Sequence, residues 1–193
     1  FGLLEKAKIL EFAKPGASEP YDAMGAAAAV DALADAGVAY PDVEQAYVGY
    51  VYGDSTSGQR ALYGVGMTGI PITNVNNNCS TGATALFLAR QLVEAGAVDC
   101  ILALGFEQMQ PGALSEHWTD RPSPFDRFDA LCDEICPYPV PIALRYFGGA
   151  GKEYMERYGA GPELFAQVRA KASRHAADNP LALLYAHINQ AIA

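Results

Sequence analysis

The sequence predicts an α/β fold in which a parallel sheet is flanked by helices. Three observations carry that prediction. The run DCILALGF (Asp99–Phe106) is apolar on both faces, as strands buried in parallel sheets are. Strand-like runs alternate with Ala-rich helical runs, the pattern of right-handed strand–helix–strand crossovers. The two Ala-rich helical runs each end on a glycine, Gly37 and Gly96, placed to cap them.

In chain order, Lys8–Phe12 is a short strand candidate that stops at Lys14-Pro15-Gly16. Tyr21–Ala36 reads as a helix with apolar positions at Met24, Ala27, Val30 and Leu33. Gln45–Tyr52, QAYVGYVY, is dense in β-formers and reads as a buried strand; a polar loop over Gly53–Gln59 and a short helix over Arg60–Val65 follow. Ile70–Val75 is a further strand, running into Asn76-Asn77-Asn78-Cys79. Ser80–Ala95 is a helix, with Gly82, Ala85, Leu86, Ala89, Leu92 and Val93 at helical spacing. After the Asp99–Phe106 strand the pattern dissolves. Pro111, Pro122, Pro124, Pro137, Pro139 and Pro141 interrupt Gln110–Val140 or its edge, predicting a long irregular excursion of the kind that forms lids and binding loops. Ile142–Tyr158 and Glu163–Ala177 read as two helices joined by Gly159–Pro162. Asn179-Pro180 breaks the chain before a last helical stretch, Leu181–Ala193.

Composition bounds the function. With 193 residues, 51% of them hydrophobic and 18% charged, the chain has material for a core, which excludes wholesale disorder. No apolar run reaches the roughly 18 residues that a membrane span needs. Phe1–Lys8 lacks a signal-peptide pattern, so a soluble, cytoplasmic protein is expected. The net charge of −9 leaves no basic stripe to neutralise phosphates, which argues against nucleic acid as a partner. The four cysteines, Cys79, Cys100, Cys132 and Cys136, do not read as a disulfide framework. Cys132 and Cys136 lack the second pair or histidine of a metal set, so no metal is expected.

The sharpest chemical feature is strand, Asn76–Gly82, helix. It sets Cys79 at a strand-to-helix turn beside a helix N-terminus, where free N–H groups and the positive end of the helix dipole favour thiolate and can stabilise an oxyanion. The residues alone leave two readings of Cys79 open, a nucleophile and a small buried filler. Glu107 closes an apolar strand at the edge where parallel sheets hold ligands; orienting a site and capping the strand end are both open to it. His117, beside Trp118, reads as a solvated loop histidine. Lys171, Arg174 and His175 make a basic helix face suited either to phosphate or to solvent.

The stretches VGYVYGDSTSGQRALY, GMTGIPITNVNNNCSTGATALFLARQL and DCILALGFEQMQPG, with FGGAGKEYMERYG from Phe147 and RHAADNP from Arg174, resemble the thiolase superfamily. They are most similar to the sterol-carrier-protein-2-type thiolases and the bacterial lipid-transfer-protein thiolases. The resemblance spans residues 9 to 182. It implies a thiolase-like fold: an N-terminal core at 1–109 with a mixed, mostly parallel sheet, an inserted loop domain at 110–182, and an unassigned segment at 183–193. It implies that Cys79 takes an acyl group from an acyl-CoA thioester, with Asn78 and Glu107 in support. Phe147, Gly148, Arg174 and His175 would line the CoA or acyl site. No permanent cofactor is implied, since coenzyme A is substrate, and a homodimer or tetramer would form through the strand around Thr73–Asn76.

The family's activating histidine and second acid/base lie in a C-terminal half, and no Gly-His-Pro or His-Asp-Cys-Phe stretch occurs here. FGLLEKAKILEF replaces the usual first strand with its Gly turn, and Leu183–Ala193 follows the family poorly. The expectation is therefore a portion of a longer thiolase chain. The alternative is a non-catalytic member that binds lipid or acyl-CoA or joins a complex. A carbon–carbon lyase of the aldolase-like branch is disfavoured by Cys79.

Overall fold

The computed structural model describes residues 21–109 and 118–178. The Lys8–Phe12 strand, His117 and the Leu181–Ala193 helix of the sequence reading lie outside these residues. The chain divides into two compact units, Phe1–Ala113 and Leu114–Ala193.

The first unit is an α/β sandwich. Its described elements are α1 (Tyr21–Ala36), β1 (Gln45–Gly49), α2 (Ser57–Tyr63), β2 (Ile72–Val75), α3 (Thr81–Glu94) and β3 (Ile101–Gly105), with 3-10 turns at Tyr40–Asp42 and Asn78–Ser80. The strands form one sheet in the order β2-β1-β3, and both pairings are parallel. Ala46 lies opposite Ile72 and Leu102, and Val48 opposite Asn74 and Leu104. Strand alternation therefore puts Ala46, Val48, Leu102 and Leu104 on one face. That face packs with Ala29 of α1 and Leu62 of α2 into the buried core, joined by Tyr40 and Val43. Val48 and Leu62 are fully buried, each worth about 2 kcal/mol relative to exposure. Thr81, Ala85 and Ala89 of α3 are buried, and α3 packs on the opposite face.

Of the apolar positions expected in α1, Leu33 packs against the core and Val30 does not. The helix buries Gly25 and Ala29, whereas Val30 is 49% exposed. The reason is close approach: a Cβ on Gly25 would stand 2.6 Å from the Phe106 ring and 2.9 Å from Ala61 Cβ. A stripe of small residues, one turn apart, sets the contact. Gly37 and Gly96 do cap their helices, at φ +66° and +65°. The N–H of the residue after each glycine donates back five residues, Val38 to Leu33 and Ala97 to Leu92.

The element ends differ from the sequence reading for hydrogen-bonding reasons. β1 stops at Gly49, three residues early, because the Val51 N–H donates to Glu107 Oε2 at 3.1 Å. β3 begins at Ile101 because Glu44 Oε2 accepts the N–H groups of Asp99 (2.5 Å) and Cys100 (2.9 Å). Those two bonds hold the Glu44 carboxyl below its ordinary range. α2 starts three residues early, at Ser57, since Asn74 Oδ1 takes the Gly58 N–H at 2.7 Å and the Ser57 hydroxyl donates to the Asp54 carbonyl.

The second unit holds α4 (Asp126–Ile135), α5 (Ile142–Tyr158) and α6 (Glu163–Ala176). α4 is a correction, because this stretch was expected to be irregular. Prolines flank the helix without entering it, and its buried side is Cys132 together with Cys136 just beyond the end. α4 is tied to α5 by a hydrogen bond from the Tyr146 hydroxyl to Asp129 and an ion pair between Arg145 and Asp133. Burial and the bond to Asp129 push the Tyr146 phenol up to about 12. Tyr154 of α5 meets Phe165 of α6 edge to face at 6.3 Å.

Candidate functional site

The Asn-rich run builds a tightly laced turn between β2 and α3. The Asn77 carbonyl accepts the Ser80 N–H (3.2 Å) and hydroxyl (2.8 Å), and the Asn77 N–H donates to Thr81 Oγ1 at 2.9 Å. Asn77 Nδ2 donates to Thr84 Oγ1 at 3.0 Å, and that hydroxyl donates to the Ser80 carbonyl. The Thr81 hydroxyl donates to the Asn78 carbonyl at 2.5 Å. Asn78 takes φ +49°, in the left-handed region that asparagine tolerates better than other residues with a side chain. Its N–H meets Asn76 Oδ1 at 3.4 Å. The three asparagines are thus explained by the shape of one turn, and the place of Asn78 in it is conformational.

Cys79 sits in the middle of that turn, directly before α3, and its side chain is exposed. Among the described residues of this unit, nothing buries it. The Thr81 N–H that opens α3 donates to the Asn78 carbonyl, so the 3-10 turn carrying Cys79 runs straight into the helix. The helix reaches this place because Gly49 lets it. A Cβ on Gly49 would stand 2.7 Å from Thr81 Cγ2.

Glu107 lies half-buried at the same carboxyl edge of the sheet. It accepts the Val51 N–H through Oε2 and the Gln108 N–H through Oε1, both at 3.1 Å. It therefore does cap strand ends, and it joins the exits of β1 and β3. Alongside, the Tyr50 ring stacks on Phe106 with centroids 4.8 Å apart. Burial first, then the neighbouring Cys79 and Glu107, hold the phenol of Tyr52 above its ordinary value. The sequence reading carried Tyr52 only as the last residue of the expected Gln45–Tyr52 strand. The cavity lined by Tyr40, Tyr63, Met67 and Ile70 opens toward the start of β2, the opposite end of the sheet from Cys79.

The remaining expected residues lie in the second unit. Phe147 and Gly148 are exposed on α5, Phe147 at 74%; Arg174 and His175 are exposed in the last turn of α6. The structure brings Cys79, Asn78 and Glu107 to one sheet edge, and it sets the other four on two helices of a separate unit. Among the described residues, no helix is long and apolar enough to cross a membrane.

The fold is that of a parallel α/β protein with an exposed cysteine at a strand-to-helix turn, on the carboxyl edge where such sheets hold ligands. The comparisons with known proteins place the chain more narrowly. The sequence matches the family described as "Thiolase, N-terminal domain" over residues 5–184, and the chain belongs to that family. It is similar to sterol carrier protein 2 of Gallus gallus, at 53% identity over 175 residues, covering 89% of this chain and 32% of that protein. It is 42% identical to non-specific lipid-transfer protein-like 2 of Caenorhabditis elegans, covering 89% of this chain and 43% of that one. It is 30% identical to the benzoylsuccinyl-CoA thiolase subunit BbsB of Thauera aromatica, covering 84% and 40%. The chain spans about a third of the length of the sterol carrier proteins it matches.

Proposed function

We propose that this chain is the nucleophile-bearing part of a thiolase-type acyltransferase acting on acyl-CoA thioesters in lipid or steroid side-chain metabolism. The observation that carries the reading is the exposed Cys79, held rigidly at the N-terminal end of α3. In the proposed reaction Cys79 attacks the thioester carbonyl and keeps the acyl group as a new thioester, while coenzyme A leaves as the thiol. Phe147 and Gly148 would face the acyl or pantetheine chain, and Arg174 and His175 the CoA phosphates. The strand edge around Thr73–Asn76, exposed at Thr73, Asn74 and Asn76, would meet a second copy. The family and the relative named as a CoA thiolase subunit support this reading.

The test is incubation of the purified chain with acetyl-CoA or a longer acyl-CoA, followed by peptide mass spectrometry. An acyl adduct on Cys79, released by neutral hydroxylamine as a thioester is and absent in Cys79→Ala, is the expected result. Failure to acylate Cys79 would count against it.

A second reading, lipid or acyl-CoA binding without turnover, is favoured by the exposed apolar side chains of α5, Leu144 and Phe147, and by the relative named as a lipid-transfer protein. It predicts acyl-CoA binding that survives Cys79→Ala.

A further inference from the structure

In α4 the large apolar side chains face outward and the sulfurs face inward. Phe128, Leu131 and Ile135 are 63%, 52% and 67% exposed, whereas Cys132 and Cys136 are each 5% exposed. The two cysteines stand one turn apart, and the Cys136 N–H donates to the Cys132 carbonyl at 2.8 Å. Residues at that spacing share a face. From α5 they are met by a glycine: a Cβ on Gly149 would stand 3.4 Å from Cys136 Sγ. Both thiols are free. The bonds that tie α4 to α5 run through Asp129, Asp133, Arg145 and Tyr146, and neither sulfur is committed to them.

The backbone admits a bond between the two sulfurs. Cα atoms four residues apart in a helix are about 6 Å apart, within the span of a disulfide. Their Cβ atoms, about 5–6 Å apart, must close by about 1–2 Å. The Cys136 end supplies that movement. Cys132 lies inside α4, but Cys136 follows its last residue and has already left helical angles, at φ −142° and ψ 61°.

We propose that Cys132 and Cys136 are a redox-sensitive pair, which a peroxide closes into a disulfide within the folded second unit. In the first step one sulfur attacks a peroxide oxygen, the O–O bond breaks, and the thiol becomes a sulfenic acid as one water leaves. In the second, the other sulfur attacks the first, the S–O bond breaks, the S–S bond forms, and the hydroxyl leaves as a second water. Two thiols and one hydrogen peroxide give one disulfide and two waters; the sulfurs lose two electrons and the peroxide gains them. Burial selects the oxidant, since a small peroxide reaches thiols that are closed to a bulky disulfide. The bond fastens the last turn of α4 to the residue that ends it. It needs neither Cys79 nor the thioester chemistry.

The test uses the whole chain, treated with hydrogen peroxide, cleared with catalase, then unfolded and alkylated with iodoacetamide. Both cysteines fall in the tryptic peptide 128–145, which has no internal Lys or Arg. The expected peptide carries no label and is lighter by two hydrogens. Dithiothreitol before alkylation makes it doubly labelled, and the helical circular-dichroism signal is unchanged by oxidation. Double labelling of this peptide at a peroxide level that oxidises the exposed Cys79 overturns the proposal. So does sulfinic acid on either cysteine in place of the bond, or a bond from either to Cys79 or Cys100. A bond that forms only with loss of helical signal also overturns it, because the folded α4 would then not admit the closure.

Discussion

The Glu107 carboxylate accepts the backbone N–H of Val51 across 3.1 Å, joining two chain segments 56 residues apart in sequence. A charge-assisted bond in a half-buried position is worth more than an exposed one. Glu107→Ala should lower unfolding stability by about 1–2 kcal/mol, read from the urea midpoint at constant slope. Glu107→Gln keeps an oxygen for Val51 and should recover most of the loss. Equal losses in both variants would show that the charge, and not the tie to Val51, matters.

The turn that carries Cys79 depends on a left-handed residue. Asn78→Gly should be tolerated, whereas Asn78→Val should cost about 1–2 kcal/mol, because a β-branched side chain resists φ +49°. Circular-dichroism melts of the two variants make the comparison. A Val variant as stable as the Gly variant would contradict the turn described here.

Gly49 sets the distance between the sheet and α3. In Gly49→Ala the new methyl meets Thr81 Cγ2, and either the helix or the strand must move. Overpacking of this kind costs about 1–3 kcal/mol. The double variant Gly49→Ala, Thr81→Ser removes the obstructing methyl and should restore part of the stability, since the Thr81 carbonyl carbon still lies 3.3 Å from the new Cβ. It keeps the hydroxyl that binds Asn77 and Asn78.

Glu44 gives the first unit an acid-sensitive fastening. Its carboxyl is held below the ordinary value of 4.5 by the N–H groups of Cys100 and Asp99. The sign follows from linkage: a depressed folded value contributes stability that is full above the ordinary value and fades as pH falls through it and on through the lower folded value. The difference in melting temperature between wild type and Glu44→Gln should therefore be constant from pH 7 to pH 6. It should shrink as the pH is taken below 4.5. A difference that stays flat to pH 3 would rule out this role for the carboxylate.

The sequence made the alternation of strands and helices legible, because apolar runs bounded by glycine caps have few other uses. It also brought Cys79 forward, since an asparagine run between a strand and a helix marks a special turn. It missed α4, whose Phe128, Leu131, Cys132 and Ile135 spacing is helical but was masked by the neighbouring prolines. In α1 it found Leu33 but misplaced Val30 and missed Gly25 and Ala29, since a contact made by small residues carries no hydrophobic signal in an Ala-rich run.

The side chain of Asn74 has a consequence for where Cys79 lies. Its oxygen holds Gly58 N–H and its amide nitrogen donates to Gln59 Oε1 at 2.6 Å, while Gln59 Nε2 returns a bond to the Ile72 carbonyl. A one-residue slip of β2 would turn Asn74 to the other face of the sheet and break this triangle at a stroke. The triangle is thus a register pin on a strand whose own ladder, four residues long, would resist sliding weakly. Cys79 follows β2 by only four residues, so the pin works as an aiming device: one permitted alignment of β2 leaves one permitted position for the sulfur.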